Sequence, residues 1–277
     1  MVMSLAITLP PVPLETRKAA TRVFQPRNIY LQIGDQIDQV FAAIDLCELD
    51  PFKQYSIDRL CRLALITAFQ FAENLSDGGA AKAVRSRLDW MYALHLPLNY
   101  PEFQPYTLCS FRQGLLSHSD AQCVFVNLLD KLKEEGLFNN SKYWPSANSE
   151  ALTVVCNLSR LEAIRTSIQA SLEVLSAVAP EWLRTITPAH WYKRYERSVN
   201  NHPVSCRVST QQLMAQELGR DVIYLLEAID RLEDREINQL PEIIHLRDVW
   251  RQQFTYQLGQ PQWRKESCMP CNTEINV

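Results

Sequence analysis

The sequence predicts an all-α protein, and three of its properties indicate this class. Only 7 of its 277 residues are glycine, which favours helices over a sandwich or barrel rich in tight turns. Apolar residues recur at intervals of three and four along most of the chain, as in helices with one buried face. With 47% hydrophobic and 21% charged residues, the composition is that of a globular protein of one large domain or two ordinary ones.

The first half of the chain predicts five helices that are bounded by caps and turns. They cover residues 29–46, 56–75, 77–92, 107–117 and 120–137. Ser56 can cap the second helix, a turn over residues 76–79 ends it, and Asp77 can cap the third. Together these helices predict a bundle of the helix-turn-helix type.

The second half predicts longer helices over residues 158–178, 191–199, 210–232 and 242–257. The segment before them, 143–155, reads YWPSANSEALTVV and follows a break that is rich in glycine and asparagine. Its β-branched end predicts at most one short strand, near residues 151–155, or the opening of the next helix.

These patterns predict five parts of the chain. They are a disordered leader at 1–27, a helical DNA-binding domain at 28–138, a linker with the possible strand at 139–156, a long-helix bundle at 157–258, and a flexible tail at 259–277. The leader is punctuated by prolines and the tail has no periodicity, which is the reason for assigning no structure to either.

Several classes of protein and of site are not supported by the sequence. No apolar run reaches the roughly 20 residues that a membrane-spanning helix needs. The 8 cysteines lie mostly singly within helical patterns, which indicates reduced thiols in the cytoplasm. Cys268 and Cys271 form a lone CxxC without the further ligands that tetrahedral zinc requires. We therefore expect a cytoplasmic protein that binds no membrane, metal, cofactor or small-molecule substrate.

The third and fourth predicted helices carry candidate contacts to nucleic acid. Two helices joined by a tight turn and followed by a short helix are the layout of a helix-turn-helix DNA reader. Lys82 and Arg85 are three residues apart and share a helix face, while Arg112, with Thr107 and Ser110 nearby, can reach phosphates or base edges. The alternative is an ordinary helix bundle in which these charges form a solvated face.

The same block resembles the N-terminal domain of bacterial insertion-sequence DDE transposases of the InsH-like type. In that family a leucine-rich helix precedes Leu-Ser-Asp, an alanine-rich turn, an arginine, the aromatic pattern W-x-Y-x-L-x-L and a final Phe-Arg helix. The corresponding residues here are Leu75-Ser76-Asp77, Ala80-Ala81, Arg85, Arg87-Leu88-Asp89-Trp90, Tyr92, Leu94, Leu96, Leu98, Thr107-Leu108, Phe111-Arg112 and Leu115. A weaker resemblance continues through residues 157–162.

The resemblance implies double-stranded DNA at transposon ends as the partner. The residues expected to contact it are Lys82, Arg85, Arg87, Arg112, Thr107 and Ser110. Trp90 and Tyr92 are expected to pack within the domain, and Arg87 has the alternative of pairing with an acidic residue on a helix face.

The resemblance also bears on catalysis, because these enzymes hold divalent ions with three carboxylates. Aligned on residues 158–162, the position of the first aspartate is Ala147, which has no ligand atom. Glu150 lies three residues on, and along a strand that odd offset would point it to the opposite face. The chain ends before the family's second aspartate and final glutamate would appear. Magnesium is therefore expected only for an intact relative, and no catalytic residue is assigned.

Three interpretations follow from the resemblance. The first is a DNA-binding, catalytically inactive portion of a transposase. The second is a helical interaction module that forms homo-oligomers or pairs with full-length transposases and inhibits them. The third is one half of a split or frameshifted active enzyme.

Overall fold

A computed structural model of the chain describes residues 9–42, 44, 55–101, 104–136, 150–195, 208–257 and 259–264. These residues form fourteen helices and one two-stranded antiparallel sheet, so the all-α prediction is confirmed. They divide into two compact units, of which unit 1 ends at Cys156 and unit 2 begins at Asn157. Within the described part of the chain, no helix has the length and apolar character needed to cross a bilayer.

Unit 1 contains the first eight helices and the start of the ninth. They are α1 (Leu14–Val23), α2 (Ile29–Asp35), α3 (Ile37–Ala42), α4 (Ile57–Glu73), α5 (Asp77–Ser86), α6 (Leu88–Ala93), α7 (Pro105–Ser117), α8 (Ser119–Glu134) and the first turns of α9 (Glu150–Val178). The predicted helices at 56–75, 107–117 and 120–137 correspond to α4, α7 and α8.

The helix α4 lies at the centre of unit 1. Nine successive residues, 63–71, are buried, so this helix is covered on every side rather than along one stripe. The helices α5, α7 and α8 all pack against it. Asn74 ends α4 in the left-handed conformation, with φ of 57°, and so turns the chain toward α5.

The predicted helix at 77–92 is in fact two helices, α5 and α6. Arg87 separates them because its backbone is extended, with φ of −102° and ψ of 112°. The side chain of Asp89 accepts a hydrogen bond from Trp90 N at 2.9 Å and also binds the Arg87 guanidinium. This local pairing holds the break where apolar periodicity alone predicts a continuous helix.

The prediction of a disordered leader is wrong for residues 9–24, because they include α1 and pack on unit 1. Thr16 is fully buried and its hydroxyl donates a hydrogen bond to the Leu96 carbonyl at 2.8 Å. The ring of His95 lies between two more carbonyl oxygens, with Nδ1 2.7 Å from that of Pro10 and Nε2 2.9 Å from that of Gly34. Polar groups that the sequence pattern does not pair thus hold the leader in place.

Unit 2 contains the remainder of α9, five further helices and the sheet. They are α10 (Pro180–Ile186), α11 (Ala189–Tyr195), α12 (Val208–Leu232), α13 (Arg235–Asn238), α14 (Pro241–Gln253), β1 (Phe254–Gln257) and β2 (Gln260–Trp263). Its core joins Ile164 and Ile168 of α9 to Leu225 and Ile229 of α12 and Leu246 of α14, all fully buried.

No strand occurs at residues 151–155, since they belong to α9. The first turns of this helix are buried on most sides, at residues 152, 154–158, 160 and 161. The β-branched residues of this segment therefore open the helix, the alternative that the sequence left open. The rest of the predicted linker, 139–149, lies outside the described residues.

The predicted flexible tail is wrong for residues 259–264. The strands β1 and β2 pair antiparallel with Phe254 opposite Trp263, and Gly259 makes the turn at φ of 73°. β2 packs on α12, and the Arg160 guanidinium lies 4.2 Å from the centre of the Trp263 ring. Contacts with distant residues order this segment, which has no periodicity of its own; residues 265–277 lie outside the described part.

Close packing between α2 and α6 yields a stability prediction at Gly34. A Cβ at this position would lie 2.8 Å from Tyr92 Cδ1 and 3.0 Å from the Tyr92 carbonyl oxygen. We expect Gly34→Ala to lower the free energy of unfolding by about 1–3 kcal/mol, because one of the two helices must shift. Thermal unfolding followed by circular dichroism measures the change.

Gly79→Ala in α5 is the matched control, since its Cβ would meet Ser76 and Leu75 only at ordinary contact distances. It should leave stability unchanged or raise it by up to about 1 kcal/mol. Equal stability of Gly34→Ala and the wild type would contradict the packing described for α2 and α6.

Candidate nucleic-acid interface

The turn between α4 and α5 positions the first candidate residues. Ser76 caps α5 by accepting a hydrogen bond from Gly79 N at 3.1 Å. Only Asn74, Leu75 and Ser76 separate the two helices, so the direction of α5 is closely determined by the buried α4. A tight turn is therefore present, but it lies at residues 74–76 and not at the predicted 76–79, because residues 77–79 already belong to α5.

The solvent-facing side of α5 carries two cations. Gly78, Lys82, Arg85 and Ser86 are exposed and recur at helical spacing, whereas the alanines and Val84 of this helix are buried. Lys82 has no ion pair among the described residues. Of the six predicted contact residues, Lys82 and Arg85 are thus the two whose side chains the structure places at the surface.

Arg112 is placed differently from the prediction, because its side chain is only 1% exposed. Nη1 and Nη2 donate to the two carboxylate oxygens of Asp77 at 2.6 and 2.7 Å, and Gln70 donates to the same carboxylate at 2.9 Å. Burial opposes the charge, but the ion pair outweighs burial and holds the pKa of Arg112 above its ordinary value. The prediction that Arg112 contacts DNA is wrong for this structure.

The neighbours of Arg112 on α7 do not form a cationic surface either. Thr107 is 3% exposed, and its position with Phe111 on the buried stripe of α7 removes it from the predicted contact set. Ser110 lies at an intermediate depth. The exposed side of α7 carries Tyr106 and Leu116, so among the predicted α7 contacts only Ser110 reaches the surface in part.

Arg87 takes the alternative role that the sequence allowed, pairing with acidic residues. Its guanidinium donates to Glu73 through Nη1 and to Asp89 at 3.1 and 2.7 Å through Nε and Nη2. It also lies 5.2 Å from the ring centres of both Tyr30 and Trp90. The same Glu73 carboxylate accepts hydrogen bonds from Tyr30 and Trp90, and burial, followed by the charge of Glu73, raises the pKa of Tyr30.

These ion pairs engage the carboxylates that lie next to α5. Between residues 73 and 89 the acidic residues are Glu73, Asp77 and Asp89, and each is bound by Arg87 or Arg112. The cations of α5 itself point outward. The exposed charge of α5 is consequently positive although this part of the chain contains three carboxylates.

Metal-ligating residue types do not cluster in the described part of the chain. No group of three or more His, Cys, Asp or Glu residues within it could hold a metal ion. Burial raises the pKa of the Cys61 thiol to about 12, so this thiol stays protonated at neutral pH. Ala147, Cys268 and Cys271 lie outside the described residues.

Sequence reasoning missed a set of cations in the segment assigned as the leader. α1 and the turn after it expose Arg17, Lys18, Arg22 and Arg27. The signal was present as the run T-R-K-A-A-T-R, which follows a proline suited to a helix start. The net charge of residues 1–50 as a whole conceals this run, because they contain six acidic residues and four basic ones.

No family model matches the sequence, and neither a curated protein nor a solved structure does. The resemblance to insertion-sequence transposases accordingly rests on the residue pattern quoted above, and a DNA-binding role is a hypothesis to be judged by the geometry of unit 1.

The buried pair Arg112–Asp77 yields a prediction that separates structural from contact roles. Arg112→Met leaves a buried carboxylate without its cation, so we expect a loss of about 3–5 kcal/mol in the free energy of unfolding. Arg85→Met, at an exposed position, should change it by less than about 0.5 kcal/mol. Urea denaturation of both variants measures the difference.

The opposite result would restore the sequence-based assignment. If Arg112→Met retained wild-type stability while its affinity for duplex DNA fell, Arg112 would be a contact residue and the ion pair with Asp77 dispensable.

Proposed function

We propose that the chain is the DNA-binding portion of a transposase of the insertion-sequence DDE type and is inactive as a nuclease on its own. The observation that carries this proposal is the distribution of charged side chains around α5. Arg87 and the buried Arg112 bind the three nearby carboxylates, and the side chains of Lys82 and Arg85 are exposed on α5. The resemblance of residues 75–115 to transposase N-terminal domains supports the same assignment.

The mode of binding follows from the residue types on α5. Lysine and arginine side chains neutralise phosphates and release counterions, which provides affinity that depends on salt but little on sequence. Phosphate contacts of this kind set the orientation of a protein on the duplex without specifying bases. We assign Lys82 and Arg85 to phosphate contacts.

The two ion-paired arginines, Arg87 and Arg112, have a positioning role in this proposal. Arg112 binds Asp77, the first residue of α5, and Arg87 binds Glu73, the last residue of α4. The pairs hold both ends of the α4–α5 connection, so the exposed side of α5 has one orientation. Replacing them should affect DNA binding through folding.

The absence of nuclease activity is proposed from the sequence. The position that corresponds to the first metal-binding aspartate is Ala147, and a methyl group supplies no oxygen ligand for a divalent ion. The partner under this proposal is double-stranded DNA, and no metal is needed for binding.

The proposal predicts a specific change in salt dependence. For the variant Lys82→Gln/Arg85→Gln we expect the slope of log affinity against log salt concentration to fall in magnitude by up to about 1.8, since each lost phosphate contact removes about 0.9. Fluorescence anisotropy with a labelled duplex, over a range of salt concentrations, measures the slope.

A control with the same change in net charge is Arg184→Gln/Arg251→Gln in unit 2. These side chains are 69% and 72% exposed and pair with Glu181 and Asp248 on their own helices. The control should keep the wild-type slope. A wild-type protein without affinity for duplex DNA at low salt would refute the proposed function, and equal slopes for the α5 variant and the control would refute the role of α5.

A further inference from the structure

A second exposed cationic surface lies on α1 and the turn that follows it. We call it the α1 basic surface, and it consists of Arg17, Lys18, Arg22 and Arg27. Residues 13–27 contain four cations and one acid, Glu15, a net charge of +3 in a chain whose total is −3. No ion pair involves Lys18, Arg22 or Arg27 among the described residues.

The α1 basic surface belongs to folded unit 1. Thr16 and Ala20 are fully buried against the rest of the unit, and α1 packs on α6. The guanidinium of Arg17 lies 5.7 Å from the centre of the Tyr92 ring in α6. Since only Arg87 separates α6 from α5, the cations of α1 and α5 are carried by one compact unit.

The cations of α1 are arranged on the side away from the bundle. At about 100° per residue, Arg17, Lys18 and Arg22 spread over an arc of about 140° opposite Thr16 and Ala20. Lys18 and Arg22 are one helical turn apart, about 6 Å along the axis. Duplex DNA presents one charge per about 1.7 Å of its axis, so phosphates are available at any such spacing.

The apolar residues of α1 argue against an anionic membrane as the partner. A helix that lies in a bilayer surface needs a continuous apolar face opposite its cations. In α1 that face consists of the small residues Thr16 and Ala20, and both are already buried in unit 1. The exposed residues Leu14 and Val23 lie near opposite ends of the helix.

We propose that the α1 basic surface is a second phosphate-binding surface for duplex DNA. This inference rests on the proposed function and extends it, because unit 1 then contacts more phosphates of the duplex than the two cations of α5 contact. The two surfaces bind the same duplex, and their contributions to the salt dependence add.

The test compares three variants of the full chain by fluorescence anisotropy with one labelled duplex. They are Lys18→Gln/Arg22→Gln, Lys82→Gln/Arg85→Gln and the combined fourfold variant. We expect each double variant to reduce the slope of log affinity against log salt by up to about 1.8, and the fourfold variant by about the sum. Between about 50 and 200 mM salt, each reduction of 1.8 means that the affinity falls about tenfold less than for the wild type.

The control Arg184→Gln/Arg251→Gln accounts for the change in net charge, and thermal unfolding of each variant checks that exposed substitutions leave the fold intact. A slope unchanged by Lys18→Gln/Arg22→Gln overturns this inference alone, provided that the wild type binds duplex and the α5 variant binds it less. No binding of duplex by the wild type overturns the proposed function and this inference together.

Two further results would also overturn the inference. One is a lower unfolding temperature of Lys18→Gln/Arg22→Gln that accompanies its loss of slope, since the effect would then be structural. The other is binding of the wild type to vesicles of phosphatidylserine and phosphatidylcholine that this variant loses while its DNA binding is unchanged, which would assign the surface to membranes.

Discussion

The buried ion pair between Arg112 and Asp77 determines how α4, α5 and α7 are arranged in unit 1. It joins the middle of α7 to the first residue of α5, and Gln70 of α4 donates to the same carboxylate. Removing both charges from water is costly. A bidentate ion pair with additional hydrogen bonds offsets that cost. The pair therefore allows one arrangement of three helices, and with it one exposed side of α5.

Unit 1 exposes cations on α5 and on α1. Arg87 and Arg112 bind the carboxylates near α5, while Lys82, Arg85 and the cations of α1 face solvent. A net charge summed over residues 51–118 is only +2 and indicates little. The positive surface of α5 arises because arginines bind the carboxylates next to it.

Particular elements show how far the sequence predicts this fold. The apolar periodicity of α4 is local, so this helix and a tight turn after it could be predicted, although Ser76 caps α5 in place of the predicted Asp77. The break at Arg87 and the order of residues 9–24 depend on partners far along the chain, such as the contact of Thr16 with Leu96. Polar pairing over such distances leaves no periodic signal. The strand at 260–263 has only four residues, too few for a periodic pattern, and it pairs with β1 while packing on α12.

The amino-acid sequence predicts the all-α class, a tight turn between α4 and α5, and which residues are candidates for binding phosphate. Which of these candidates reach the surface depends on how the helices pack. Arg85 and Arg112 are the same residue type on helices of similar length, and helical spacing cannot separate them. Asp77 separates them, because a carboxylate brought next to Arg112 by folding makes its burial tolerable, whereas Arg85 lies on the side of α5 that faces water.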